Sequence, residues 1–269
     1  MSNSFNYTLK KMSDEKNSKL CIGLDIDSDK LPKHIDRSIA GIKDFLKDVI
    51  NSTSDICLAY KINMAFYEQF GYQGYKLMED LVAYIGDKNI TIADGKRGDI
   101  GNTSVKYATS VFEVMGFDSI TVSPYMGSDA IVPFIQNKSK GVFVLCLTSN
   151  SSANEIQFIK EDDTTVFENI AHIANKLNKN ENIGLVVGAT QSNLMDKIRS
   201  LNNLPWLITG IGAQGGDLSR SVSISNNNSI GIINVSRAIL YAGNCNIESI
   251  VESAVNYNNS INGTNLNGW

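Results

Sequence analysis

Several charged side chains sit where chemistry could use them. Asp25 closes the apolar run Leu20–Asp25, Lys61 and Asn63 fall in Ile56–Asn63, and Asp94 and Lys96 end Ile90–Lys96. Asp94 and Lys96 are two residues apart, so on an extended chain both point to one face. Asp99 comes next, across the turn Arg97-Gly98. A structural ion pair is the plain alternative for Asp-x-Lys taken alone. Two acids and two lysines drawn from three neighbouring strands are hard to explain that way, because buried charge is costly unless paired or used. A second constellation lies later, in Gly210-Ile211-Gly212-Ala213-Gln214-Gly215-Gly216 and in Arg237. Glycines let backbone N–H groups approach an anion closely. Gln214 and the fork of Arg237 add side-chain donors. The loop alone could be an ordinary tight turn, but together with Arg237 it points to a phosphate.

Other chemistries are disfavoured. The chain has two histidines, His34 and His172, one in a polar segment and one in a helical pattern. That argues against a Ser-His-Asp triad and against a His-rich metal site, and no metal ligand set is assigned. The four cysteines, Cys21, Cys57, Cys146 and Cys245, form no CxxC pair. They read as small buried hydrophobes in a reducing cytoplasm. The net charge of −4 gives no broad attraction to nucleic acid or anionic membrane. No signal-peptide core opens the sequence, and no apolar run reaches the ~18 residues of a membrane span.

The elements that must carry these residues emerge from periodicity. Eight apolar, β-branched runs are Leu20–Asp25, Ile56–Asn63, Ile90–Lys96, Ser119–Pro124, Val142–Ser149, Ile183–Ala189, Trp206–Ile211 and Ile230–Ser236. Their near-continuous hydrophobicity suits buried parallel strands. Helical patterns between them include Gly41–Ser52, Gly74–Ile85, Asn102–Met115, Asp163–Asn178 and Gln191–Leu201. Eight alternating units within 269 residues of ordinary composition, 42% hydrophobic and 19% charged, predict a single-domain (β/α)₈ barrel. A doubly wound sheet is the alternative, but the first run ends Gly23-Leu24-Asp25-Ile26-Asp27 without a glycine fingerprint. The expected organisation is an N-terminal arm or helix over 1–19, the barrel over 20–256, and an Asn-rich, frayed tail over 257–269. In a barrel the chemistry sits at the C-terminal ends of the strands, and the last two strands commonly hold a phosphate.

Asp94-Gly95-Lys96-Arg97-Gly98-Asp99, continued by Ile100-Gly101-Asn102-Thr103, resembles the Asp-x-Lys-x-x-Asp signature of the orotidine 5′-phosphate decarboxylase family. The surroundings resemble its longer-chain subgroup: Tyr60-Lys61-Ile62-Asn63, Thr121-Val122-Ser123-Pro124-Tyr125-Met126-Gly127, Val186-Val187-Gly188-Ala189-Thr190, and the glycine loop continued to Asp217. The likeness runs in order from about Cys21 to Ala242. Two features depart from it: Thr209 stands where related chains often have proline, and the tract Asn226–Asn228 has no counterpart.

The resemblance implies conversion of orotidine 5′-monophosphate to UMP, the last step of UMP biosynthesis, without metal or organic cofactor. It makes Lys96 the cation beside the C6 carbanion and its proton donor. Asp94 would face the departing carboxylate. Lys61 would alternate in charge with Asp94, Lys96 and Asp99, and with Asp25 and Asn63 it would serve the ribose. Ser123 and Ser149 would meet the pyrimidine edge, while Gly212, Gln214 and Arg237 would hold the phosphate. Asp99 and Thr103 would reach the partner's site in a homodimer. Two other readings stand beside this one. A sugar-phosphate aldolase or decarboxylase of the same superfamily shares the signature but carries a Mg²⁺-binding glutamate where this chain has Lys61. A catalytically inactive barrel would act only as a binding protein.

Overall fold

The computed structural model describes residues 3–263 with the exception of Ala213. Eight strands form a closed barrel with every neighbouring pair parallel: β1 Leu20–Gly23, β2 Ala59–Asn63, β3 Ile90–Arg97, β4 Ser119–Val122, β5 Gly141–Leu147, β6 Ile183–Gly188, β7 Trp206–Thr209 and β8 Gly231–Val235. β8 closes on β1 through Leu20 opposite Ile233 and Ile22 opposite Val235. Several strands stop short of their expected ends. β4, for example, ends at Val122, two residues before Pro124, which has no N–H to pair.

Around the barrel lie α1 Phe5–Lys16, α2 Ile39–Thr53, α3 Tyr72–Ile85, α4 Gly101–Thr109, α5 Val166–Leu177, α6 Ser192–Leu201, α7 Leu218–Ser225 and α8 Ile247–Ile261. The amphipathic period explains them. In α2, Ile42, Phe45, Leu46, Val49 and Ile50 face the barrel, and Ser38 caps the helix by accepting from the Gly41 N–H at 3.1 Å. α4 continues as a wider π-helical turn over Ser110–Val114. The β4–β5 crossover holds only short turns, Ser128–Ala130 and Val132–Ile135, where Pro133 and the left-handed Gly127 (φ 81°) interrupt a helix. Among the described residues, no helix is long and apolar enough to cross a membrane.

Two expectations are revised, and the Asn tract gains a structural account. The segment before α5 is a small hairpin, Lys160–Glu161 with Thr164–Thr165, so that helix starts at Val166, not Asp163. Tyr257–Ile261, expected to fray, form the last turns of α8, while 264–269 lie outside the described residues. The Asn tract is a turn into β8: the Asn226 carboxamide donates to the Val222 carbonyl at 2.9 Å and accepts from the Gly231 N–H at 3.3 Å, and Asn228 is left-handed (φ 55°), as asparagine tolerates.

The core has two layers. The larger lies between sheet and helices; the smaller fills the barrel with Ile92, Phe143, Val186, Leu207 and Ile232. α1 plugs the N-terminal opening of the barrel. Its Phe5 ring meets Phe143 edge-on at 6.1 Å, over Gly141, where any Cβ would stand 2.3 Å from that ring. Among the described residues, α1 therefore covers the N-terminal end of the barrel, and the C-terminal end holds the open cavity.

Candidate active site

At the open end, a cavity of about 410 Å³ has Leu145, Val186 and Leu207 from the interior core among its apolar lining. β1, β2 and β3 place charge on one side. Lys61, 3% exposed, donates to Asp94 at 3.0 Å and to Asp25 at 3.4 Å. Lys96 donates to the other Asp94 oxygen at 2.6 Å. The Asn63 N–H also reaches Asp25, at 3.3 Å. The four side chains form a chain of alternating charge, Asp25–Lys61–Asp94–Lys96. Burial alone would raise the Asp94 carboxyl, but Lys61 and Lys96 outweigh it and hold it well below the usual carboxylate range. Burial alone would lower the Lys61 ammonium; Asp25 and Asp94 outweigh that and hold it above its ordinary value. Lys96 differs in being half exposed, with its side chain open to the cavity.

The convergence of Asp94 and Lys96 has a different origin from the pleat expected of a regular strand. Ala93 pairs with Ile120 and Arg97 with Val122, so Asp94, Gly95 and Lys96 together oppose Thr121 alone. This bulge puts Lys96 in the left-handed region (φ 46°). Arg97 leaves the mouth altogether, pairing with Glu68 and lying over the Tyr107 ring.

β5, β7 and β8 build the opposite side. Thr148, Ser149, Asn150, Thr209, Gly210, Gln214, Ser236 and Arg237 line it. The Ser149 hydroxyl donates to the Gln214 carboxamide at 2.8 Å, tying the loop after β5 to the loop after β7. Gly210 (φ 91°) and Gly212 (φ 76°) take backbone conformations that a side chain would strain.

Of the residues expected to act, Asp25, Lys61, Asn63, Asp94, Lys96, Ser149, Gln214 and Arg237 share this cavity. Gly212 stands in the loop beside it, packed toward Ala238 and Tyr257. Ser123 does not line it; the residue packs against Gly98, and its N–H donates to the Arg97 carbonyl at 2.7 Å. Asp99 and Thr103 stand outside as well. The Asp99 carboxylate accepts from the Ile100 N–H at 2.8 Å, and Thr103 is exposed. Thr121, Thr148, Asn234 and Ser236 also line the cavity, and sequence reasoning assigns them no role. Their position at or near strand ends is the available signal, and a hydroxyl or carboxamide there is too common to read alone.

A family model described as "Orotidine 5'-phosphate decarboxylase / HUMPS family" matches residues 18–248. An orotidine 5'-phosphate decarboxylase of Dehalococcoides mccartyi is 43% identical over 241 residues, 87% of each chain. One of Herpetosiphon aurantiacus is 42% identical over 228 residues, 84% of this chain and 85% of that one. The structure of Leishmania donovani OMP decarboxylase superposes with a TM-score of 0.85 at 34% identity, covering 97% of this chain and 98% of that one.

Proposed function

The chain belongs to the orotidine 5′-phosphate decarboxylase family, and from that premise we propose how its barrel mouth carries the reaction. The activity is decarboxylation of orotidine 5′-monophosphate to UMP, the carboxy-lyase step of pyrimidine biosynthesis. The observation that carries the residue assignment is the charge chain at one end of a single cavity with Arg237 and Gln214 at the other.

The substrate phosphate lies against Arg237, Gln214 and the Gly212 loop, and the pyrimidine edge meets Ser149. The ribose lies along Asp25, Lys61 and Asn63, which brings C6 and its carboxylate to Asp94 and Lys96. The C6–carboxylate bond breaks with its electron pair left on C6, and CO₂ departs. Asp94, held ionised, opposes the substrate carboxylate and favours its loss. The Lys96 ammonium stabilises the pair on C6 and then transfers a proton to it, leaving a neutral amine that solvent reprotonates. Lys61 cannot serve that role as well: it is buried between two carboxylates and holds them together. Phosphate binding, remote from the breaking bond, supplies binding energy that is used to lower the barrier at C6.

The same reading makes the protein a cytoplasmic homodimer with shared sites. Asp99 and Thr103 lie outside the cavity of their own chain. Nearby, Ile100, Tyr125 and Met126 are 54%, 82% and 53% exposed. Large apolar side chains at such exposure suit a partner surface. The cytoplasmic assignment is supported by four free, buried thiols.

The test is the fall in orotidylate absorbance on adding purified protein, with and without EDTA. Turnover that survives the chelator is expected. Turnover that vanishes with EDTA and returns with Mg²⁺ would favour the aldolase-type reading, and binding without turnover would favour the inactive barrel.

A further inference from the structure

Thr121 is the one residue of β4 that faces the three-residue bulge of β3. Its side-chain oxygen makes two hydrogen bonds there. It accepts from the backbone N–H of Lys96 at 3.0 Å and donates to Asp94 Oδ1 at 2.9 Å, the same oxygen that receives the Lys96 ammonium at 2.6 Å. The direction is fixed by chemistry. Asp94 is held ionised and can only accept, so the single hydroxyl proton goes to Asp94 and a lone pair remains for Lys96.

Both bonds replace something the bulge removes. A regular ladder would satisfy the Lys96 N–H through a carbonyl of β4; here that donor is out of register and turns to Thr121. Lys96 also holds a left-handed backbone, a conformation that a long side chain adopts only where its surroundings enforce it. Thr121 is itself 1% exposed, so the latch is shielded from competing water. From this geometry we infer that Thr121 is a positioning residue for the decarboxylation. Its hydroxyl locks the β3 bulge, and through that one atom sets both the Lys96 backbone and the Asp94 carboxylate. The inference rests on the roles given to Lys96 and Asp94 above.

Three variants test it. Thr121→Val keeps the volume and removes the hydroxyl, Thr121→Ala removes the hydroxyl with less bulk if valine prevents folding, and Thr121→Ser keeps the hydroxyl. Two readouts are taken: steady-state kinetics with orotidine 5′-monophosphate, and amide hydrogen exchange at Lys96 monitored by NMR. In Thr121→Val the Lys96 amide should exchange faster, and kcat should fall roughly tenfold to a hundredfold with KM changed less than threefold, because misplacing a catalytic group by a fraction of an ångström costs rate more than binding. Thr121→Ser should restore both readouts to near wild type. The inference is overturned if the hydroxyl-less variant keeps wild-type protection at Lys96, if kcat stays within twofold despite lost protection, or if serine fails to rescue. Wild-type protein that does not turn over orotidine 5′-monophosphate would sink the functional reading instead, and the exchange experiment would still decide whether the latch exists.

Discussion

Two lysines share one carboxylate, and their surroundings separate their duties. Lys61 has carboxylates on two sides and almost no exposure, so its proton has nowhere to go. Lys96 has one carboxylate partner and an open flank in the cavity. A proton donor must be able to reach its acceptor, and only the second lysine can. Lys96→Ala should therefore remove turnover by at least roughly 10³-fold, the upper range for losing a general acid. UMP affinity should change little, since the ammonium acts on charge present only in the transition state. Single-turnover kinetics beside UMP titration reads both quantities. A variant retaining a tenth of wild-type kcat would place the proton donor elsewhere.

α5 shows how an element is held beside the mouth without contributing to the chemistry. Thr165 caps it and Glu168 returns the bond: the Glu168 carboxylate accepts from the Thr165 N–H at 2.9 Å and from its hydroxyl at 2.6 Å, and pairs with Lys197 of α6 at 2.9 Å. Burial alone would raise this carboxyl, but Thr165 and Lys197 outweigh it and bring it from 4.5 to about 2. A depressed folded-state value means stability that is complete above the unfolded value, near pH 4.5, and is lost as pH falls through about 2. Glu168→Gln should thus cost about 2 kcal/mol at pH 7, discounted for the exposed Lys197, and the gap to wild type should narrow steadily from pH 5 to pH 3 in urea titrations. A pH-independent gap would mean that the carboxylate's charge contributes nothing. The capping pair lies in Thr165-Val166-Phe167-Glu168, and the helical pattern read from Asp163 misses it by running back across a hairpin whose strands are two residues each. The eight barrel strands are legible because burial on both faces writes itself as continuous β-branched runs. The charge chain is legible because lysine and aspartate are rare in such runs. The bulge at Lys96 is not, because it depends on the register of β4 against β3, a pairing of residues some 25 apart in sequence. The place of Ser123 is hidden for a related reason: the chain leaves β4 at Val122, and Ser123 then packs on the Arg97-Gly98 turn instead of entering the mouth.

Across the whole molecule, the decisive prediction is about subunits. Asp99 binds its own neighbour's N–H and stands clear of its own cavity, which suits service in a partner's site. Lys96→Ala and Asp99→Ala homodimers should both be nearly inactive. In a heterodimer of the two, one site collects both defects and the other takes Lys96 from one chain and Asp99 from its partner, intact. Co-expression should recover up to half of the wild-type activity per heterodimer, and proven heterodimers without recovery would confine Asp99 to its own subunit. The barrel is also polar end to end in a topological sense. α1 seals the face opposite the cavity, and α8 finishes beside it, the Asn262 side chain donating to the Asn17 carbonyl at 2.8 Å. The first and last helices thus meet on the blind face. A second enzyme or a support joined through either helix is therefore expected to leave the mouth open to the surrounding solution.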